Sequence, residues 1–440
     1  MTLFLKKQNM DRRNFLQHAG ILTGALLSNS IVKMTQKTNP TLLLVSGWQD
    51  VNIGDIAHTP GLIGLIRKRL PHVNIILWKR NRSEMVEAML EKHYPDVKVI
   101  HGEINDKLIP QSESVREAFQ EADFFIHGSG PYVVAANYLQ AWAAHTDKPF
   151  GIFGVTIQEI KPDLKSLLQK ASFIFTRETA SIKVLKENGI SGEFIRFAPD
   201  ATFALEIHDD NKAASFIKDN KLEARKFICV IPRLRLTPYY KMRPKNAGWS
   251  QEKIQETIAL NDKYKEEDHS KVREAMITWV RKTGNKIVVC PEMTYQVDII
   301  DELLVNPLPD DVKPFIVKHG YWLPDEAASL YREAHTVLSL ECHSPIIAIA
   351  NNTPAFYLRQ PEDTIKGQMY YDLGLKDWTF EIMESNGQQI SDQLMKVYDN
   401  YESARQTVKQ TLGRVEVQYN DAFKTMVKDL PATGKENFFS

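Results

Sequence analysis

Short, mostly apolar runs alternate along this chain with amphipathic segments long enough to form helices. In the first half the runs are Leu42–Val45, Val73–Trp78, Val97–Ile100, Asp123–Ile126, Phe150–Val155, Phe173–Phe175 and Glu193–Phe197, the last closed by Ala198-Pro199-Asp200. A strand with one wet face alternates apolar and polar residues, so continuous runs predict parallel sheets covered by helices on both faces. A charged helical connection spans 205–226. A second series follows: Phe227–Ile231, Lys286–Cys290, Pro314–Val317, Thr336–Leu340 and Ala355–Leu358, with helices over Ser270–Lys282 and Pro324–Ala334. Arg233–Lys265 breaks the rhythm. It holds Pro238 and Pro244 and few strand signals, and reads as a long irregular loop of the kind that is usually functional. The polar helical pattern of Asp392–Asp429 predicts C-terminal helices packing back on the domains. The fold class is therefore α/β, with two Rossmann-like domains facing each other across a cleft. The expected divisions are 1–36, 37–210, 211–390 and a C-terminal helical segment 391–440.

Composition narrows the partners. The chain has 440 residues with 55 Lys+Arg and 55 Asp+Glu, a formal net charge of zero. The basic excess of a nucleic-acid or acidic-membrane binder is missing. Three cysteines occur without a C-x-x-C pair; Cys229 and Cys290 end apolar runs and read as buried free thiols. Near the start, Arg12-Arg13-Asn14-Phe15-Leu16 precedes the apolar stretch Ala19–Leu27 and then Ser28-Asn29-Ser30. That order predicts a twin-arginine-type signal over 1–36, and hence export to the periplasm or beyond. No later run approaches the ~18 apolar residues of a membrane span, so no integral membrane segment is expected.

Ligands of open α/β sheets sit beyond the carboxyl ends of strands, and four such ends carry chemistry. The first is Asn52-Ile53-Gly54-Asp55, where Gly54 permits a tight turn and Asp55 can cap a helix whose free N–H groups suit an anion. The second is His127-Gly128-Ser129-Gly130, whose glycines let backbone approach a ligand; His127 either faces the cleft or ends the strand. The third is Arg233-Leu234-Arg235, with guanidinium forks that match a carboxylate or phosphate. The fourth is Glu341-Cys342-His343, where extended geometry would point the acid and the imidazole the same way for proton transfer. Arg177-Glu178, also at a strand end, reads as an internal ion pair.

These elements, in this order, resemble the polysaccharide pyruvyl transferase family. The resemblance rests on Asn52–Asp55, Ala122–Gly130, Lys148-Pro149 with Gly151 and Gly154, Thr176-Arg177-Glu178 with Ser181, Ala198–Asp200, His343, Ile347-Ala348, Pro354, Lys366 and Leu373-Gly374-Leu375. It implies a GT-B-like fold. It implies transfer of an enolpyruvyl group from phosphoenolpyruvate to a glycan hydroxyl pair, as in exopolysaccharide decoration, with no cofactor and no metal. His343 and Glu341 are the implied catalytic pair. Arg233, Arg235, Asn52, Gly54, Asp55, His127, Gly128, Ser129, Gly130 and Lys366 are the expected substrate-binding residues. The family usually has Arg-x-His where this chain has Glu341-Cys342-His343. A carboxylate in that place repels an anionic donor by roughly 4 kcal/mol at 4 Å and an effective dielectric of 20. The alternative reading is an exported glycan-binding or altered-donor protein of the same fold, without phosphoenolpyruvate binding.

Overall fold

The structure, a computed structural model, describes residues 39–242, 248–428 and 430. The Arg12-Arg13 signal lies outside the described residues. Two parallel sheets form from the two series of apolar runs. The first has seven strands: β1 Thr41–Ser46, β2 Asn74–Lys79, β3 Lys98–Ile100, β4 Phe124–His127, β5 Phe150–Val155, β6 Phe173–Thr176 and β7 Ile195–Phe197. The second has six: β8 Phe227–Ile231, β9 Lys286–Val289, β10 Ile316–Lys318, β11 Thr336–Ser339, β12 Ala355–Arg359 and β13 Thr379–Glu381. The spatial orders are β3-β2-β1-β4-β5-β6-β7 and β10-β9-β8-β11-β12-β13. Both are doubly wound orders that start at an interior strand, third from one edge, and reverse there.

Burial explains the runs. Every side chain of β4 and β8 is buried, and Leu42 through Val45 have no exposed surface. Each such aliphatic or aromatic residue contributes about 1.5–3 kcal/mol of transfer free energy. The reversal points lie between β1 and β4, which pair in parallel from Leu42↔Phe124 to Val45↔His127, and between β8 and β11, paired from Thr336↔Ile228 to Ser339↔Ile231. At such a point neighbouring strands send their connections to opposite faces, leaving a crevice at the carboxyl ends.

The two halves meet through backbone. Asn52 forms an antiparallel bridge with Met293, Ile53 N–H donates to the Glu292 carbonyl at 2.9 Å, and Thr294 N–H to that of Val51 at 3.0 Å. The helix Tyr401–Met426 then returns from the second half to the first sheet. Near its start Tyr401 accepts from Arg225 at 3.2 Å; further along, Tyr419 donates to the Asp200 carbonyl at 2.6 Å and Thr425 Oγ1 accepts from Arg196 at 2.7 Å. All three cysteines are buried and free.

One expectation is corrected. The loop Arg233–Lys265 is much shorter, because the helix Gln251–Thr283 already begins behind a Ser250 cap. Its inner face is polar where it meets the loop, with Thr257, Asn261, Asp268 and His269 buried. Asn261 satisfies the N–H and the carbonyl of Leu236, and His269 Nε2 accepts from Arg233 N–H at 3.3 Å. An apolar periodicity has no signal to give there. The three-residue edge strand β13 also lacks a pattern long enough to read.

Candidate active site

β11 stops at Ser339, whose hydroxyl donates to the Glu341 carbonyl and accepts from Glu341 N–H. The chain then enters helical geometry at Cys342 (φ −86°, ψ −20°), and the helix His343–Ala350 follows. Extended geometry does not persist, so Glu341 and His343 diverge. No hydrogen bond or ion pair joins them, which corrects the expected acid–imidazole pair.

His343 is instead enclosed by three other residues. Its Nδ1 lies 3.4 Å from Glu292 Oε1, and its Nε2 lies 3.0 Å from His58 Nε2 and 3.8 Å from Asp200 Oδ2. Glu292 stands just past β9, and its other oxygen accepts from Ser344 N–H and Oγ, at the start of the helix that carries His343. Asp200 closes the first half. It accepts from Arg177 Nη1 at 2.9 Å and from Thr202 N–H at 3.0 Å, and lies 3.3 Å from His58 Nε2. His58 belongs to the helix Ile53–Arg69, which begins earlier than expected: Asn52, and not Asp55, caps it through Gly54 N–H and Asp55 N–H, and Gly54 lies in its first turn. Gly54 is one turn before His58 on the same face. A Cβ on Gly54 would sit 2.4 Å from the His343 ring, so only glycine lets the helix approach it.

The electrostatics agree with the contacts. Burial opposes a charge on His343, but the Cys342 sulfur and the bonds to Asp200 and Glu292 outweigh it and raise its pKa well above the usual imidazole value. Burial likewise opposes ionised Asp200, yet its neighbours His58, His343 and Arg177 hold it well below the usual carboxylate range. Both directions describe an imidazolium held between carboxylates.

His58 Nε2, Asp200 Oδ2 and His343 Nε2 are also the group among the described residues that could hold a metal ion, within 4.8 Å of one another. Tetrahedral ligands at zinc distances stand about 3.3 Å apart. The two imidazole nitrogens are closer, at hydrogen-bonding distance, and the Asp200 oxygen already accepts from Arg177.

A second charged cluster adjoins. Arg233 Nη1 donates to Asp363 Oδ1 at 2.7 Å, and its Nε is 3.4 Å from Glu341 Oε2. Lys366 Nζ contacts the same Asp363 oxygen at 2.7 Å, and Gln296 Nε2 donates to Glu341 Oε1 at 2.7 Å. Both cations already have carboxylate partners. Burial, against the opposing pull of Arg233, pushes the Glu341 carboxyl up to about 7. An acid whose folded pKa is raised adds stability below its unfolded value near 4.5, and that stability is lost as pH rises through about 7. Urea unfolding between pH 5 and 8 should therefore show stability falling, with the Glu341 share on the order of 1–3 kcal/mol. Glu341→Gln should remove that share and flatten the profile; an unchanged slope would refute the assignment.

The remaining candidates lie elsewhere. Arg235 forms two bonds with Asp268 and stacks over Tyr264 at 4.6 Å, away from His343. Both ring nitrogens of His127 serve the backbone: Nδ1 donates to the Gly128 carbonyl at 2.7 Å and Nε2 accepts from Ala135 N–H at 3.0 Å. Burial pushes its pKa down to about 3, so it is a neutral brace. Gly128, Ser129 and Gly130 form the turn after β4. The Ser129 carbonyl accepts from Trp48 Nε1 at 2.5 Å, and Gly130 bridges to Val155. Asp55 accepts from Gln49.

The strand-end pattern of the sequence does not by itself assign His58, Asp200 or Glu292 to the site. Two of them had a signal: His58 follows Gly54 by one helical turn, and Glu292 follows a strand end just as Glu341 does.

No curated protein matches the chain. Solved structures do match over nearly its whole length. MnaA of S. aureus, determined with UDP, is 12% identical, with 89% of this chain and 99% of that chain covered and a TM-score of 0.53. UDP-GlcNAc 2-epimerase from Neisseria meningitidis, bound to UDP-GlcNAc, is 11% identical over 88% and 100%, with a TM-score of 0.54. A glycosyltransferase from Rickettsia africae is 12% identical over 88% and 99%, with a TM-score of 0.53. At these identities the likeness is one of fold, the GT-B-like pair of parallel-sheet domains. A family model described as polysaccharide pyruvyl transferase matches residues 52–360, a span that takes in Gly54, Asp200, Glu292 and His343. The chain belongs to the polysaccharide pyruvyl transferase family.

Proposed function

We propose that this protein transfers a pyruvyl group from phosphoenolpyruvate to a pair of glycan hydroxyls as a ketal, with His343 as proton donor. The observation that carries the reading is the position of His343: a buried imidazole beyond the end of β11, held between Asp200 and Glu292. In the proposed reaction the donor's methylene carbon takes the His343 proton, leaving the adjacent carbon electrophilic. One sugar hydroxyl adds to that carbon, the bond to the phosphate oxygen breaks, and the second hydroxyl closes the ketal. Phosphoenolpyruvate and a diol thus give a pyruvate ketal and inorganic phosphate. The two hydroxyl protons go to the phosphate and back to the imidazole. His58, at 3.0 Å, is placed to share the returning proton. No resident cofactor or metal takes part in this scheme. Export through the paired arginines is part of the same proposal. No helix among the described residues is long and apolar enough to cross a membrane.

A second reading, an altered donor or glycan binding alone, is favoured by the charge pairing. Arg233 and Lys366 both hold Asp363, and Glu341 adds a carboxylate beside Arg233. Melting with phosphoenolpyruvate separates the two. A donor at 100 times its Kd stabilises a folded protein by about 2.7 kcal/mol, so the wild-type melting temperature should rise. A rise confined to Glu341→Arg would move the assignment to the second reading. No rise in either protein would remove phosphoenolpyruvate as donor.

A further inference from the structure

Thr156 has two sides. Its hydroxyl accepts from Arg177 Nε at 2.8 Å, and through Arg177 and Asp200 it connects to His343. Its residue also lines a cavity of about 540 Å³ where β4 and β5 end, beside the helices Ala136–His145 and Pro162–Leu168. That volume falls within the roughly 300–1,000 Å³ of small-ligand sites.

The lining has a specific chemistry. Tyr132 is 61% exposed, and Ile157 contributes buried apolar surface. Gln140, Gln158, Glu159, Lys161 and Asp163 line the same space, and none of their side chains has a hydrogen bond or ion pair to a described residue. Amides and carboxylates without partners are free to meet hydroxyls, which both donate and accept. An exposed aromatic face suits the apolar C–H face of a pyranose. Two carboxylates against one ammonium disfavour an anion such as the donor.

We infer that this cavity is a subsite for a neutral hexopyranose unit of the acceptor glycan, with Tyr132 as its stacking platform. It rests on the transfer reading above and deepens it. Arg177 and Asp200 stand between the cavity and His343, so the unit bound here is not the one that reacts.

The test titrates the whole chain with β-linked gluco-, galacto- and manno-tetrasaccharides. At least one should bind. Tyr132→Ala, an exposed change, should weaken that sugar about three- to tenfold, the range expected for losing one aromatic contact. Tyr132→Phe should keep the affinity, and Gln158→Ala should weaken it. The melting shift with phosphoenolpyruvate should be the same in Tyr132→Ala as in wild type. Equal sugar affinity in wild type and Tyr132→Ala overturns the subsite, and so does the absence of any binding sugar. Loss of the phosphoenolpyruvate shift with sugar binding intact would instead strike the transfer reading and leave the subsite standing.

Discussion

His343→Gln is expected to lower turnover of pyruvyl transfer by roughly 10²- to 10⁴-fold, the usual contribution of a positioned general acid. Glutamine is close in size and can still donate to Asp200 or Glu292, so the two carboxylates keep a polar neighbour. It cannot release a proton to carbon. The loss should therefore appear in kcat, with acceptor binding little changed, because a group that acts only in the transition state leaves ground-state binding alone. His58→Gln serves as the companion variant. If His58 shares the proton, its loss should reduce turnover less and shift the pH profile, since His343 would lose the neighbour 3.0 Å from its Nε2. Full activity in His343→Gln would end the general-acid reading, whatever His58 does.

Arg177→Met should destabilise the fold by about 3–5 kcal/mol, the usual cost of removing one partner from a buried ion pair. Arg177 and Asp200 are both essentially buried, with side chains 2% and 0% exposed, and their contact is 2.9 Å. Methionine fills part of the volume but leaves Asp200 facing only His58, His343 and the Thr202 N–H. The effect should appear as a lower urea midpoint. Arg177→Met combined with Asp200→Leu should recover part of the loss, because the Asp200 carboxylate is then no longer buried without its guanidinium. A loss below about 1 kcal/mol in the single variant would mean that the two histidines alone hold the Asp200 charge. The guanidinium would then be incidental to the site.

Much of the architecture was legible in the residues. Phe150–Val155 and Phe227–Ile231 coincide with β5 and β8, because a strand buried on both faces must be apolar at every position. The helix Gln251–Thr283 was half hidden for the opposite reason: where it meets the loop its packing face is Thr257, Asn261, Asp268 and His269, chosen to satisfy loop backbone and Arg235 rather than to repel water. His343 was placed as a site residue from its position beyond a strand end. Its carboxylate partners are not legible there, since Glu341 is two residues away in sequence and yet turns toward Gln296 and Arg233.

The alternation of apolar runs and helices thus determined by itself that two parallel sheets would form, and that the useful side chains would gather at strand ends. Burial is paid for residue by residue, so its pattern is written along the chain. Only the tertiary structure decided which groups meet. His58, Asp200, Glu292 and His343 come from four separate segments, brought within 4 Å contacts by the doubled winding and the backbone bridge between the halves. The charge of an imidazole depends on what lies a few ångströms away in space, and sequence distance carries no record of that.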